Sequence, residues 1–162
     1  MIREGRGEKV STPPLKISRE DYTAIRKSIE ATITHGGEIR SILGAQQERN
    51  PDNNLHCEVR RAEEALHVFG SRWTIEILSA LYISGPRRFN QMKNLLEGIS
   101  SRTLSDKLRY LVDEGLVLRQ VDEGPPVRVS YLLTDHGRTC GRLLSPLVAH
   151  LKFHFNSLLA ED

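Results

Sequence analysis

The stretch from Gly98 to Leu118, GISSRTLSDKLRYLVDEGLVL, restricts this chain more than any other. It reads as a short turn, a helix, a glycine stop and the start of a strand. Leu104, Leu108, Leu111 and Val112 recur at helical spacing and define one buried stripe. Ser100 and Ser101 are N-cap types, because a serine oxygen accepts from a free first-turn amide. Gly115 stands where a helix C-terminal glycine belongs. The other faces carry Ser101, Arg102, Thr103, Ser105, Asp106, Lys107 and Arg109, hydroxyls and charges opposite a side wedged into a core. A helix lying in a DNA groove needs such a face, and any soluble amphipathic helix can show one. Its neighbours have to decide.

Before it, Phe89 to Leu96 reads as a second helix with Phe89, Met92, Leu95 and Leu96 inward, linked through Glu97-Gly98-Ile99. Two helices joined by a short glycine-containing turn form a helix-turn-helix unit. After it, Leu116 to Val121 and Val127 to Leu133 read as strands around Asp122-Glu123-Gly124-Pro125-Pro126. That is a hairpin with a stiff tip, the element called a wing. The predicted fold class is mainly α with a small β-hairpin wing (α+β): a winged helix-turn-helix with an N-terminal helical extension and a long C-terminal helix.

A formal net charge of +2 over 162 residues says little about nucleic acid, but its distribution says more. From Arg87 to Arg109 there are six cations (Arg87, Arg88, Lys93, Arg102, Lys107, Arg109) against two acids (Glu97, Asp106). Basic charge gathers on the helix-turn-helix, as an electrostatic footprint for DNA requires. No apolar run approaches a membrane span, and the N-terminus lacks a hydrophobic signal segment. Cys57 and Cys140 do not make a disulfide framework. A cytoplasmic protein is expected.

In chain order, residues 1–17 read as a flexible arm and 18–57 as a helical extension, followed by a DNA-binding domain at 58–133 and a final helix within 134–162. Ser18-Arg19-Glu20-Asp21 is a capping pattern, and Tyr22, Ile25, Ile29 and Ile33 follow at four-residue spacing. Gly36-Gly37 is expected to close that helix, with a shorter piece at Ile39 to Gln47 and a loop at Asn50 to Asn54. A helix from Cys57 to Phe69 should bury Val59, Ala62, Leu66 and Phe69. The helix from Trp73 to Ile83 should put Trp73, Ile77, Leu78, Leu81 and Tyr82 at the centre of the core. Thr134-Asp135 opens a last helix to about Leu159, with a bend expected near Pro146. Its apolar face comprises Leu144, Leu147, Val148, Leu151, Phe155, Leu158 and Leu159, and pairing with a second copy is the natural way to cover it.

His136 and Cys140 are one helical turn apart, as are His150 and His154, a spacing that can offer two metal ligands. No third ligand is near in sequence, so surface or interface histidines are expected and no metal or cofactor is assigned. A glycine-rich phosphate loop, a paired-histidine metalloprotease motif and a serine elbow are all missing. No catalytic residue is assigned.

Several ordered motifs then resemble the HxlR-type winged-helix transcriptional regulators. Phe69-Gly70-Ser71-Arg72-Trp73-Thr74-Ile75-Glu76-Ile77-Leu78 is similar to that family's GGKWTLLIL, and Gly85-Pro86-Arg87-Arg88-Phe89 to its GPRRF. Ile99 to Leu108 resembles ISPRVLSERL. Glu114 to Val117, Pro125 to Tyr131 and Leu133 to Gly137 follow in family order. The resemblance covers residues 58 to 155. It implies a dimer that binds a pseudo-palindromic operator, with a recognition helix at about 101–114 in the major groove and a wing at 122–127 against backbone or minor groove. By the same resemblance Ser100, Ser101, Arg102, Thr103, Ser105, Asp106 and Lys107 fall on the recognition helix, Arg128 at the wing, and Arg87 and Arg88 at the entry to the preceding helix. Many members carry a cysteine–proline pair thirteen residues ahead of the tryptophan; here that position is Arg60, and Cys57 lies three residues earlier with no proline. The family's closing tryptophan falls at His154.

Arg102 can donate two parallel bonds to guanine, a contact worth about 1–3 kcal/mol of discrimination, or it can hold a phosphate. Asp106 is expected to orient Arg102 or Arg109, or to accept from a cytosine. Arg128 suits a minor groove or a solvated strand. The expected partners are double-stranded DNA and a second copy of the chain, with no membrane and with any small-molecule effector unknown. Promoter occlusion, hence repression, is the expected mode. The alternative is a winged-helix protein-interaction module without sequence-specific DNA binding.

Overall fold

The computed structural model describes residues 12–49 and 55–161, apart from the side chains of residues 47 and 48. Residues 1–11 of the expected arm (1–17) and the loop at 50–54 lie outside the described residues. In chain order the elements are β1 (Leu15–Ile17), α1 (Arg19–Arg49), α2 (Leu55–Leu66), α3 (Arg72–Ser84), β2 (Arg87–Arg88), α4 (Phe89–Leu95) and α5 (Ser101–Asp113). Then follow β3 (Val117–Asp122), β4 (Arg128–Leu133), α6 (Asp135–His154) and β5 (Leu158–Ala160). They form two compact units. One comprises residues 44–143, and the other combines the chain up to Leu43 with Leu144 onward.

The core of the 44–143 unit is built on the back of α5. Leu104, Leu108 and Leu111 are at most 1% exposed, and they pack with Ile77, Leu78 and Leu81 of α3, Met92 of α4, and Leu96 and Ile99 of the turn. Leu116, Val117 and Leu133 close the cluster from the hairpin. Each such side chain contributes about 1.5–3 kcal/mol on burial, which fixes α5 by its apolar side. The sheet order is β2-β4-β3, all antiparallel, with Val117 opposite Leu133 and Asp122 opposite Arg128. Trp73 and Tyr82 sit at the margin and not at the centre. Arg72 covers the Trp73 ring at 4.5 Å, and Tyr82 is 39% exposed. Leu95, expected inward, is also exposed, because α4 ends there and Leu96 takes the buried place.

Two junctions hold α5 at its C-terminal end. The Leu116 amide donates to the Leu111 carbonyl at 3.0 Å and the Gly115 amide to Val112 at 3.0 Å, the paired bonds of a Schellman stop. Gly115 has φ 69°, a value that a residue with a Cβ adopts at a cost. Thr134 donates through Oγ1 to the Gly115 carbonyl at 2.7 Å and accepts the Gly137 amide at 2.9 Å. One hydroxyl therefore ties the end of α5 to the start of α6. Gly137 lies so close to the hairpin that a Cβ there would sit 2.2 Å from the Leu116 carbonyl oxygen.

In the other unit, β1 pairs in parallel with β5, Leu15 opposite Leu158, and the Tyr22 and Phe153 rings meet at 4.7 Å between centroids. Residues 15–17, expected in the arm, are thus a strand. Ser18 caps α1 as predicted, its Oγ accepting the Asp21 amide at 3.0 Å. The helix does not stop at Gly36-Gly37 and runs to Arg49, absorbing the expected second piece. Two interior glycines cost about 1 kcal/mol each, and the helix formers on both sides outweigh that.

Two apolar faces differ from expectation. On α2, Leu55, Val59 and Leu66 are 60–68% exposed, and no residue of that helix is buried. The last helix ends at His154, and the chain turns through Asn156 into β5. Leu158 therefore belongs to a strand, 6% exposed, and not to an open helix face. Leu147, Val148, Leu151 and Phe155 are 41–62% exposed, and Leu144 is half-buried. The helix α6 passes through Pro146 without interruption.

Candidate nucleic-acid interface

α5 begins at a well-made cap. Ser100 Oγ accepts the Thr103 amide at 3.0 Å and shares a 2.8 Å hydrogen bond with the Thr103 hydroxyl. The exposed Ser101 hydroxyl accepts from Lys93 Nζ at 2.8 Å, so a cation of α4 stands beside the first turn of α5. First-turn amides with a cation at their side attract a phosphate.

Along the outer face, Arg102, Asp106 and Arg109 recur at i, i+4 and i+7, opposite the buried leucines, and all three are exposed. Ser105 is exposed beside them. The ion pairs of the described residues involve other groups, so in the unbound chain Asp106 pairs with neither Arg102 nor Arg109. All three remain available to a ligand. Thr103 and Lys107 lie on a flank, half-buried, with Lys107 Nζ 5.6 Å from the Tyr110 ring centre. Partial burial, and then the Glu114 carboxylate, push the Tyr110 phenol above its usual range, so it stays protonated at neutral pH.

The remaining predicted residues are placed by the small sheet. Arg87 and Arg88 form β2 against Tyr131 and Ser130 of β4. Arg87 is half-buried and bonds the Pro86 carbonyl at 2.9 Å. Arg88 is exposed where α4 begins, and its amide donates to Gln91 Oε1 at 2.8 Å. Arg128 opens β4 at the wing, exposed, in register with Asp122. Two cations fall outside the sequence-predicted set. Lys93 entered the local charge balance, but only the contact with Ser101 gives it a place at the α5 terminus. Arg119 is exposed on β3, where pairing with Tyr131 sets its position, and no local motif signals it.

This geometry is that of a winged helix-turn-helix. The sequence model of the HxlR-like helix-turn-helix family matches residues 68–158. The chain belongs to the HxlR-like helix-turn-helix family. It is 36% identical over 87 residues to the uncharacterized HTH-type transcriptional regulator YvaP of Bacillus subtilis, covering 54% of this chain and 80% of that one. The crystal structure of the HTH-type regulator ytcD superposes with TM-score 0.55 at 33% identity, over 59% of this chain and 96% of that one. Reduced YodB from B. subtilis gives TM-score 0.52 at 30% identity, over 57% and 89%.

As an HxlR-like protein the chain is a DNA-binding transcriptional regulator with a winged helix. The rival reading, an interaction module that does not bind DNA, gives way to that membership. The family is one of regulators, not enzymes. Among the described residues no helix is long and apolar enough to cross a membrane. Cys57 and Cys140 are both half-buried. Cys140 Sγ lies 3.9 Å from His136 Nε2, and no described group of three or more histidine, cysteine or acidic residues could hold a metal.

Proposed function

We propose that this regulator works as a cytoplasmic homodimer, reads a pseudo-palindromic operator, and represses by occluding a promoter. One observation carries the reading. Arg102, Asp106 and Arg109 form an exposed stripe, without ion pairs among the described residues, on a helix whose opposite side is almost wholly buried. A helix held that firmly presents its outer groups in fixed geometry, as base readout demands. Arg102 serves as a reader of guanine. Arg109, Lys93, and Ser100 and Ser101 at the helix N-terminus serve as phosphate contacts, with Arg128 and Arg88 extending the footprint. The exposed Leu147, Val148, Leu151 and Phe155 supply the pairing surface. In the simplest geometry the two α5 helices then lie about 34–36 Å apart, one DNA turn.

The test is fluorescence anisotropy with DNA from upstream of the protein's own gene and a scrambled control, at low and moderate salt, with Arg102→Ala in parallel. The expected result is preferential binding that weakens steeply with salt and loses its preference in the variant. Equal binding to both DNAs would reject the operator reading, and no binding even at low salt would reject DNA binding by the unliganded protein.

A further inference from the structure

In the unit that holds α1 and the C-terminal part of α6, these two helices line an open cleft of about 450 Å³. Small-molecule sites span about 300–1,000 Å³ and combine an apolar lining with a few convergent polar groups. The floor here is aromatic and aliphatic. Tyr22 and Phe153 meet at 4.7 Å and are both half-buried, and Ile29 beside them is 8% exposed. Ile33, 63% exposed, marks the mouth. The lining also carries Arg26, His150 and His154 from the two helices, with Glu30 as the only acid.

The Arg26 side chain makes no hydrogen bond or ion pair with any described residue, Glu30 one turn away included. An exposed guanidinium with no partner among the described residues, at the edge of an aromatic floor, can take an anion attached to a ring. The two rings, tilted 56° to one another, offer a flat ligand ring stacking and edge contacts, and Arg26 gives a carboxylate two parallel donors. Glu30 disfavours a second negative charge. The α1 wall, Arg26 included, lies before the family-matched residues 68–158, so this cleft is an addition to the winged helix.

We infer that the cleft between α1 and the C-terminal part of α6 is a binding site for a small aromatic monocarboxylate, anchored by Arg26 on the Tyr22–Phe153 floor. This site stands independently of the operator reading, because binding is measured without DNA.

The experiment is isothermal titration of the full chain with 2-naphthoate and with neutral 2-naphthalenemethanol, which share a ring system and differ in charge. The carboxylate should bind at least about tenfold more tightly, a difference of about 1.4 kcal/mol. Arg26→Gln should remove that preference and leave alcohol binding in place, whereas Phe153→Ala should weaken both probes. Melting curves verify that both variants are folded. Equal affinities in the parent protein, or a preference that survives Arg26→Gln, would overturn the assignment. So would no heat from either probe at millimolar concentration. If in that case Ile33→Glu also converts a dimer to a monomer in sedimentation, the cleft is a surface covered by a second copy.

Discussion

Arg102 and Arg109 share one exposed stripe but differ in what each is expected to do, and that difference can be measured. Arg102 lies in the first turn of α5, the end from which a recognition helix reaches base edges. Arg102→Ala should cost about 1–3 kcal/mol on the operator and little on unrelated DNA. Arg109 lies two turns further on, toward the end that meets backbone. Arg109→Ala should weaken all DNAs alike and lower the slope of log affinity against log salt by about 1. Anisotropy titrations over a salt series separate the two. A loss of preference in Arg109→Ala equal to that in Arg102→Ala would reject this division of roles. Gly137 makes a different point at the same scale. Sequence alone marks it as a poor helix residue, whereas the structure gives it a reason: a Cβ there would lie 2.2 Å from the Leu116 carbonyl oxygen. Gly137→Ala should destabilise the fold by about 1–3 kcal/mol or more in urea unfolding.

At the scale of elements, α5 was legible in sequence almost to the residue, because cap, stripe and stop agree. Ser100 is the cap, Leu104, Leu108 and Leu111 are the stripe, and Gly115 is the stop. Ser100→Ala removes two hydrogen bonds at the exposed cap and should cost about 1 kcal/mol of stability, read from the urea midpoint. An unchanged midpoint would show that water replaces the serine without loss. The hairpin was legible for the same reason, its two strands separated by an unmistakable turn. The elements that misled lacked such agreement. Gly36-Gly37 has the composition of a stop but no left-handed conformation, since both residues continue α1. The face of α2 has helical spacing, and spacing does not reveal whether anything covers it. Trp73 and Tyr82 share the periodicity of the core residues, yet α3 contributes only its Ile77, Leu78 and Leu81 side fully. The cations that sequence missed, Lys93 and Arg119, take their places from contacts with Ser101 and Tyr131 that no local pattern encodes.

Across the whole molecule, Leu144 to Leu158 form one continuous apolar row in the sequence, and the structure divides it. Leu147 and Leu151, 53% and 41% exposed, remain open on α6, while Leu158 is closed into the β1–β5 pair. The two groups should therefore respond differently to substitution. Leu147→Glu with Leu151→Glu places charges where a second copy would pack, at little cost to a chain that leaves both residues open to water. Sedimentation should show the parent protein as a dimer and the double variant as a folded monomer. Its operator affinity should fall by more than either half-site contact explains, because the two recognition helices are no longer linked. Leu158→Ala should do the reverse. It removes buried apolar volume, lowering stability by about 2–4 kcal/mol, and leaves the oligomeric state unchanged. If the double glutamate variant remains a dimer, the exposed row on α6 is not the pairing surface, and the unburied stripe of Leu55, Val59 and Leu66 on α2 becomes the next surface to charge.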